Sequence, residues 1–193
     1  MKRDDLTCLI LAGGAGRRMG GADKGWLDWH GRPLISWVIE SVAPQCGQIV
    51  ISANRNIEAY RALGFPVVSD LRADFCGPLA GIEAGLHAAH SNDVLVVPCD
   101  GPSLPADLAA RLLAARGNAA AATATLAGRL NPLHSLILRD LAANLGAWLD
   151  LGERKASKWL QSIGTVPVPF DDEAEAFCNF NHPAPEPAGS ADA

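Results

Sequence analysis

The stretch LTCLILAGGAGRRMGGADKG, residues 6–25, begins as an apolar run and changes abruptly at Gly13 into a loop of glycines and cations. The short apolar run over residues 6–12 predicts a buried β-strand, because it is nearly all apolar and is bounded by glycine. The polar, glycine-rich segment that follows, to about Gly31, predicts a loop at the carboxyl end of that strand.

Apolar, β-branched runs alternate with helical segments along the rest of the chain. This alternation predicts an α/β fold with three layers: a mainly parallel sheet with helices on both faces. Further strands are predicted at residues 48–53, 66–69, 93–98, 119–126, 135–138 and 166–170, and helices at residues 56–63, 77–90, 105–116, 140–151 and 155–163 and from Pro33 onward.

Length and composition limit the class of protein. A chain of 193 residues with 49% hydrophobic and 19% charged residues suits one folded domain. We expect that domain over residues 1–182 and a disordered, Pro- and Ala-rich tail over residues 183–193. The net charge of −5 argues against a protein that binds a nucleic-acid backbone, and no apolar stretch reaches membrane-spanning length. Five cysteines without C-x-x-C spacing favour a reducing cytoplasm over a disulfide scaffold.

The glycine-rich loop has the composition of a polyphosphate site. Gly13 and Gly14 let the backbone approach a ligand, and successive N–H groups in such turns form anion-binding nests. Arg17, Arg18 and Lys24 add full positive charges. The alternative, a surface turn with solvated cations, is less consistent with so many glycines and cations in one loop.

Two familiar phosphate-binding motifs do not match this loop. The Walker pattern requires Ser or Thr after Gly-Lys, and Lys24 is followed by Gly25. The dinucleotide fingerprint G-x-G-x-x-G, started at Gly14, meets Met19 at its third glycine. A dinucleotide-dependent oxidoreductase is therefore excluded on the glycine register.

Asp100 follows the apolar run over residues 93–98 directly after Cys99. A carboxylate at the end of a buried strand is costly unless it is paired or holds a metal, and Mg²⁺ favours one or two carboxylates together with substrate phosphates. Asp100 is therefore either a magnesium ligand or a turn residue that bonds its own backbone. Asp23, Asp28 and Asp70 are weaker candidates.

Three segments with reactive side chains follow predicted strands. They are residues 13–25, residues 54–56 together with 69–70, and residues 99–103. Because ligands of parallel sheets bind beyond the carboxyl ends of the strands, we expect these segments to converge on one site.

These segments resemble the molybdenum cofactor guanylyltransferases, a family within the nucleotidyltransferases of Rossmann-like α/β fold. The matching pieces occur in order along nearly the whole chain, and RMGGADKG is the most specific of them. They are residues 11–25, GRPL at 31–34, ANR at 53–55, Ser69-Asp70, GPLAG at 77–81, PCD at 98–100 and NFN at 179–181.

The resemblance implies transfer of GMP from GTP to the phosphate of molybdopterin, with release of pyrophosphate and with Mg²⁺ as cofactor. It implies that Asp100 binds Mg²⁺, that residues 179–181 lie near the pterin, and that the product passes to cofactor-insertion proteins and molybdoenzymes. We expect Lys24 and Arg18 to stabilise the leaving pyrophosphate. The nucleotide contacts implied for this chain are Leu11, Ala12, Gly13, Gly14, Lys24, Asp70 and Asp100.

One position departs from the family pattern. The family commonly has Asn-Ala-Asn after the second strand, and this chain has Ser52, Ala53 and Asn54. Serine keeps a donor and an acceptor but lacks the reach of the amide, so Ser52, Asn54 or both are expected to contact the nucleotide. Alternatives at this stage are a cytidylyltransferase for the same pterin, a sugar-phosphate nucleotidyltransferase, or a non-catalytic nucleotide-binding regulator.

Overall fold

A computed structural model describes residues 3–13, 23–73, 77–178 and 180. Nine strands and six α-helices lie in these ranges. The strands are β1 (Leu6–Leu11), β2 (Asp28–Trp29), β3 (Arg32–Pro33), β4 (Gln48–Ser52), β5 (Val67–Val68), β6 (Asp93–Pro98), β7 (Ala121–Leu126), β8 (Arg129–Leu138) and β9 (Val166–Pro169). The helices are α1 (Leu34–Val42), α2 (Ile57–Arg61), α3 (Pro78–Ala88), α4 (Leu108–Arg116), α5 (Ala142–Asp150) and α6 (Ala156–Ser162), and 3₁₀ turns cover Lys24–Trp26, Arg139–Leu141 and Asp171–Phe177.

Seven strands form one sheet in the order β5-β4-β1-β6-β8-β7-β9. Strands β5, β4, β1 and β6 are mutually parallel, and β9 runs parallel to β7. Only β8, among the described strands of this sheet, is antiparallel to its neighbours. The predicted mainly parallel α/β sheet is therefore confirmed, and the order of strands switches direction at β1.

Helices cover both faces of the sheet and complete the three predicted layers. On one face, α1 and α4 pack with Tyr60 of α2 against side chains such as Ile10 and Val97. On the other face, α3, α5 and α6 pack against Leu9 and the remaining alternate side chains of the strands. Alternate residues of each strand thus fill two separate apolar clusters, as expected for a sheet buried on both sides.

Glycines bring α3 close to the sheet. A methyl group at Gly85 would overlap the side chain of Leu9, and one at Gly81 would lie 2.6 Å from the Ser52 hydroxyl oxygen. Glycine is therefore required at both positions if the helix backbone is to reach β1 and β4 this closely.

Several parts of the chain differ from the sequence prediction. Residues 28–31, expected in a loop, and Pro33, expected to open a helix, form the β2–β3 hairpin together with Arg32, and Asp28 accepts a bond from the Gly31 N–H. Helix α1 therefore begins one residue later than expected, at Leu34. Strand β8 begins at Arg129 rather than at residue 135 and forms a hairpin with β7. Helix α4 begins three residues later than expected, at Leu108.

The predicted tail at residues 183–193 lies outside the described residues. Within the described ranges, no helix combines the length and the apolar character that crossing a membrane requires.

Candidate active site

The candidate site lies at the edge of the sheet where β1, β4 and β6 end. Backbone hydrogen bonds continue the ladder just past these strands: Ala12 N donates to Ser52 O at 2.8 Å, and Cys99 N donates to Leu11 O at 3.1 Å. The parallel ladder therefore carries Gly13, Ala53 and Asp100 to the same edge.

Lys24 and Asp100 meet at this edge although 76 residues separate them. The Lys24 Nζ donates to Asp100 Oδ2 at 2.7 Å. The Asp100 side chain is 12% exposed and that of Lys24 is 34% exposed, so the pair lies at the boundary between protein and solvent. A cation and a carboxylate at this boundary can bind a phosphate and a metal ion, respectively.

Phe180 of the C-terminal region contacts the backbone at Asp100. Its N–H donates to the carbonyl oxygen of Asp100 at 2.7 Å, so Phe180 itself lies at the site. Asn179 and Asn181 themselves lie outside the described residues, so their proximity to the pterin stays a prediction.

Asn54 links two of the predicted nucleotide-binding positions. Its Oδ1 accepts a bond from Asp70 N at 2.9 Å, and its Nδ2 lies 3.1 Å from the place where a Cβ on Gly13 would stand. Burial raises the pKa of Asp70, and the nearby Glu83 carboxylate acts in the same direction. Asn54 therefore borders Gly13 and connects it to the backbone of Asp70.

Ser52 is more enclosed than the other predicted contacts. The residue is 1% exposed, and its hydroxyl oxygen, which lies beneath Gly81, has no hydrogen-bond partner among the described residues. A buried hydroxyl of this kind is unusual because it normally finds a partner. The predicted nucleotide contact of Ser52 stays a prediction.

Gly14 and Arg18, both predicted to act on the phosphates, lie outside the described residues, as does Arg17. The described part of the loop begins again at Asp23, which accepts hydrogen bonds from Tyr60 and Asn56. The sequence indicates Asp23 only as a weaker candidate, and it gives no signal for Tyr60 or Asn56. The signal for Asp23 in the sequence is its position next to Lys24. Asn56 and Tyr60, which donate hydrogen bonds to Asp23, lie in a distant segment of the chain.

The donor set fits a metal that is held mainly by its substrate. Among the described residues no group of three or more His, Cys, Asp and Glu side chains could hold a metal ion. Mg²⁺ does not need such a group, because it takes one or two carboxylates and completes its shell with water and phosphate oxygens. Lys24 donates to Oδ2 of Asp100, and no described residue donates to Oδ1.

Known proteins resemble this chain in sequence and in fold. The family described as the MobA-like NTP transferase domain matches residues 8–166. A molybdenum cofactor guanylyltransferase of Polynucleobacter asymbioticus is 44% identical over 186 residues, which are 93% of this chain and 93% of that protein. One from Ralstonia nicotianae is 45% identical over 188 residues and covers 92% of each chain.

The chain belongs to the MobA-like NTP transferase family. Among solved structures, the molybdopterin-guanine dinucleotide biosynthesis protein A of Archaeoglobus fulgidus aligns with a TM-score of 0.74 at 26% identity, covering 92% of this chain and 93% of that one. The family match begins within β1 and ends at the start of β9, so it includes every strand that borders the candidate site. The protein is therefore a nucleotidyltransferase.

Proposed function

We propose that this protein transfers GMP from GTP to the phosphate of molybdopterin, releasing pyrophosphate and forming the guanine dinucleotide form of the cofactor. The proposal rests on the relatives named as molybdenum cofactor guanylyltransferases. The structural observation that supports it is the pairing of Lys24 with Asp100 at the edge where β1, β4 and β6 end.

The reaction is an in-line displacement at the α-phosphorus of GTP. An oxygen of the molybdopterin phosphate forms the new bond to phosphorus, while the bond to the bridging oxygen breaks and pyrophosphate leaves with the electron pair. A phosphate monoester is already largely ionised near pH 7, so no strong general base is required. Catalysis then depends on positioning and on neutralising charge.

Lys24 and the loop backbone neutralise the negative charge of the phosphates. The ammonium group of Lys24 lies at the edge of the cleft and can bind a phosphate oxygen of the leaving pyrophosphate, together with Arg18. Gly13 carries no side chain, so a phosphate could approach the backbone at the end of β1 closely. A Cβ at this position would lie 3.1 Å from Nδ2 of Asn54. The other nucleotide contacts we propose are Leu11, Ala12, Gly14, Ser52, Asn54 and Asp70.

Asp100 is the residue that we propose to hold Mg²⁺. The ion would supply a positive charge shared among the phosphate oxygens. Asp100 would contribute one carboxylate at a fixed position, because its backbone is tied to Leu11 through Cys99 and to Phe180. The acceptor side would be bordered by residues 179–181, and we place the activity in the cytoplasm, with cofactor-insertion proteins and molybdoenzymes as recipients of the product.

Binding of GTP, CTP, ATP and UTP measured by calorimetry, with and without Mg²⁺, tests the proposal first. We expect selective binding of GTP that strengthens with Mg²⁺, followed by release of pyrophosphate when molybdopterin is added. Lys24→Met should weaken GTP binding. Lys158→Met is a matched control, because Lys158 pairs with Glu153 near α6, in the layer on the opposite face from α1 and α4. Preference for CTP, or no nucleotide binding, would overturn the assignment.

A further inference from the structure

The carboxylate of Asp23 accepts hydrogen bonds from three residues: Gly25 beside it in the chain, and Asn56 and Tyr60 at the start of α2 and within it. The hydroxyl of Tyr60 donates to Oδ1 at 2.6 Å, the Nδ2 of Asn56 donates to Oδ2 at 2.9 Å, and Gly25 N donates to Oδ1 at 3.3 Å. The Asp23 side chain is only 5% exposed, and the Nε of Arg55 lies 3.9 Å from Oδ2. A buried carboxylate with this many donors is fixed in position, since each bond is stronger where water is excluded.

The same contacts fix the chain on either side of Lys24. Asp23 forms the N-terminal cap of the 3₁₀ turn Lys24–Trp26, and Trp26 N donates to the Asp23 carbonyl at 3.1 Å. The ring of Trp26 lies 5.2 Å from that of Tyr60, centroid to centroid. A methyl group at Gly25 would overlap the Tyr60 hydroxyl, so glycine is required here for the contact between Tyr60 and Asp23.

Asn56 adopts a backbone conformation that few residues favour. Its φ is 49°, in the left-handed region, where asparagine is one of the better-tolerated residues other than glycine. Asn56 also precedes α2 directly, so its side chain joins the start of that helix to the loop that carries Lys24.

We propose that Asp23, Tyr60 and Asn56 form a positioning unit for Lys24. The unit sets the backbone of Lys24 so that its Nζ reaches Asp100, where the phosphates of the nucleotide are bound. It does not touch substrate; it acts through Lys24, and it fixes where the phosphate-binding cation lies before the nucleotide arrives. This inference rests on the proposed function of Lys24.

Tyr60→Phe removes one hydroxyl and leaves the ring in place, so it tests the unit with the smallest change. We expect kcat/KM for GTP to fall about 10- to 100-fold, because a displacement of about 1 Å in a catalytic group costs rates of this order. Asn56→Gly is the second variant: glycine accepts φ of 49° readily, so only the hydrogen bond to Asp23 is lost. Asn56→Gly should also lower kcat/KM for GTP.

A double-mutant cycle separates positioning from a general structural effect. If Tyr60 acts only through Lys24, then Lys24→Met combined with Tyr60→Phe should have the same kcat/KM as Lys24→Met alone. Asn144→Ala is the matched control, because it removes the acceptor of the buried Trp159 indole N–H, in the layer on the opposite face of the sheet. It should reduce stability while leaving kcat/KM unchanged.

Two results would overturn the positioning role. One is a wild-type kcat/KM in both Tyr60→Phe and Asn56→Gly. The other is a double variant whose loss of kcat/KM equals the product of the losses in Tyr60→Phe and Lys24→Met. A crystal structure of Tyr60→Phe supplies a readout independent of activity: Lys24 should move away from Asp100, and retention of the 2.7 Å contact would count against the proposal. Failure of the proposed function differs from both results. In that case the wild-type protein would not transfer GMP, or Lys24→Met would turn over at the wild-type rate.

Discussion

Replacing Asp100 by asparagine separates the charge of this residue from its shape. Asp100→Asn keeps the side-chain volume, and it keeps the bond that Phe180 N donates to the carbonyl oxygen of residue 100. It removes the negative charge that faces Lys24 at 2.7 Å and that would bind Mg²⁺. Loss of one preorganised electrostatic contact typically lowers kcat by about 10²–10³, or about 2.7–4 kcal/mol. We expect a loss of this size.

The expected effect on folding is much smaller. Lys24 is partly exposed, so the ion pair contributes at most about 1 kcal/mol to the free energy of unfolding. Pyrophosphate release from GTP and molybdopterin, measured across a Mg²⁺ titration, is the assay for kcat, and denaturant unfolding is the assay for stability. Asp172→Asn is the matched control, because Asp172 is exposed and paired with Arg111 near the end of the described chain. An Asp100→Asn variant with wild-type kcat and the wild-type response to Mg²⁺ would refute the reasoning.

Three further predictions concern stability. Burial raises the pKa of Asp70, so its carboxylate destabilises the fold at neutral pH; Asp70→Asn should raise the thermal midpoint at pH 7.5, and the gain should vanish as falling pH protonates Asp70 in the wild type. Burial lowers the pKa of His134 to about 4. As the pH falls from about 6.5 through 4, the unfolded chain gains a proton that the folded chain excludes, and the wild type should lose about 3 kcal/mol more than His134→Leu in denaturant titrations. Gly85→Ala should lower the free energy of unfolding by about 1–3 kcal/mol despite the better helix propensity of alanine, because the methyl group overlaps Leu9; an unchanged denaturation midpoint would contradict this packing argument.

The strands buried on both faces could be predicted from sequence because their apolar runs are nearly continuous. The prediction for residues 93–98 has the same bounds as β6, whereas the sequence does not predict the two hairpins. Their turns have positive φ at both central residues, and the first of these is His30 in one hairpin and Ala127 in the other. The sequence signal for such turns is Asn-Gly or Asp-Gly, so His-Gly and Ala-Gly are hard to recognise. Pro132 within β8 further weakens the strand signal.

The approach of Lys24 to Asp100 follows from two local facts that a sequence can show. Lys24 follows β1 in a glycine-rich loop, and Asp100 follows β6. The two strands are parallel neighbours in the sheet. The role of Asp23 could not be predicted in this way, because its strongest donor, Tyr60, lies 37 residues away on α2. Only the packing of α2 beside β5 brings that hydroxyl to the loop. The enclosure of Ser52 likewise depends on Gly81 of α3, which no local pattern around Ser52 reports.

In the proposed reaction, the direct contact between Lys24 and Asp100 would couple nucleotide binding to metal binding. Lys24 donates to one carboxylate oxygen of Asp100, so its ammonium charge would oppose the binding of Mg²⁺ to the same carboxylate. Phosphates of a bound nucleotide would attract Lys24 and would leave the Asp100 carboxylate available to hold the ion. Mg²⁺ without nucleotide should therefore bind weakly, and Lys24→Met should bind it more tightly while binding GTP less well. Calorimetric titration of Mn²⁺ as a reporter, into the wild type and Lys24→Met, measures this difference directly; equal affinities for the metal alone would show that the two groups do not compete for Asp100.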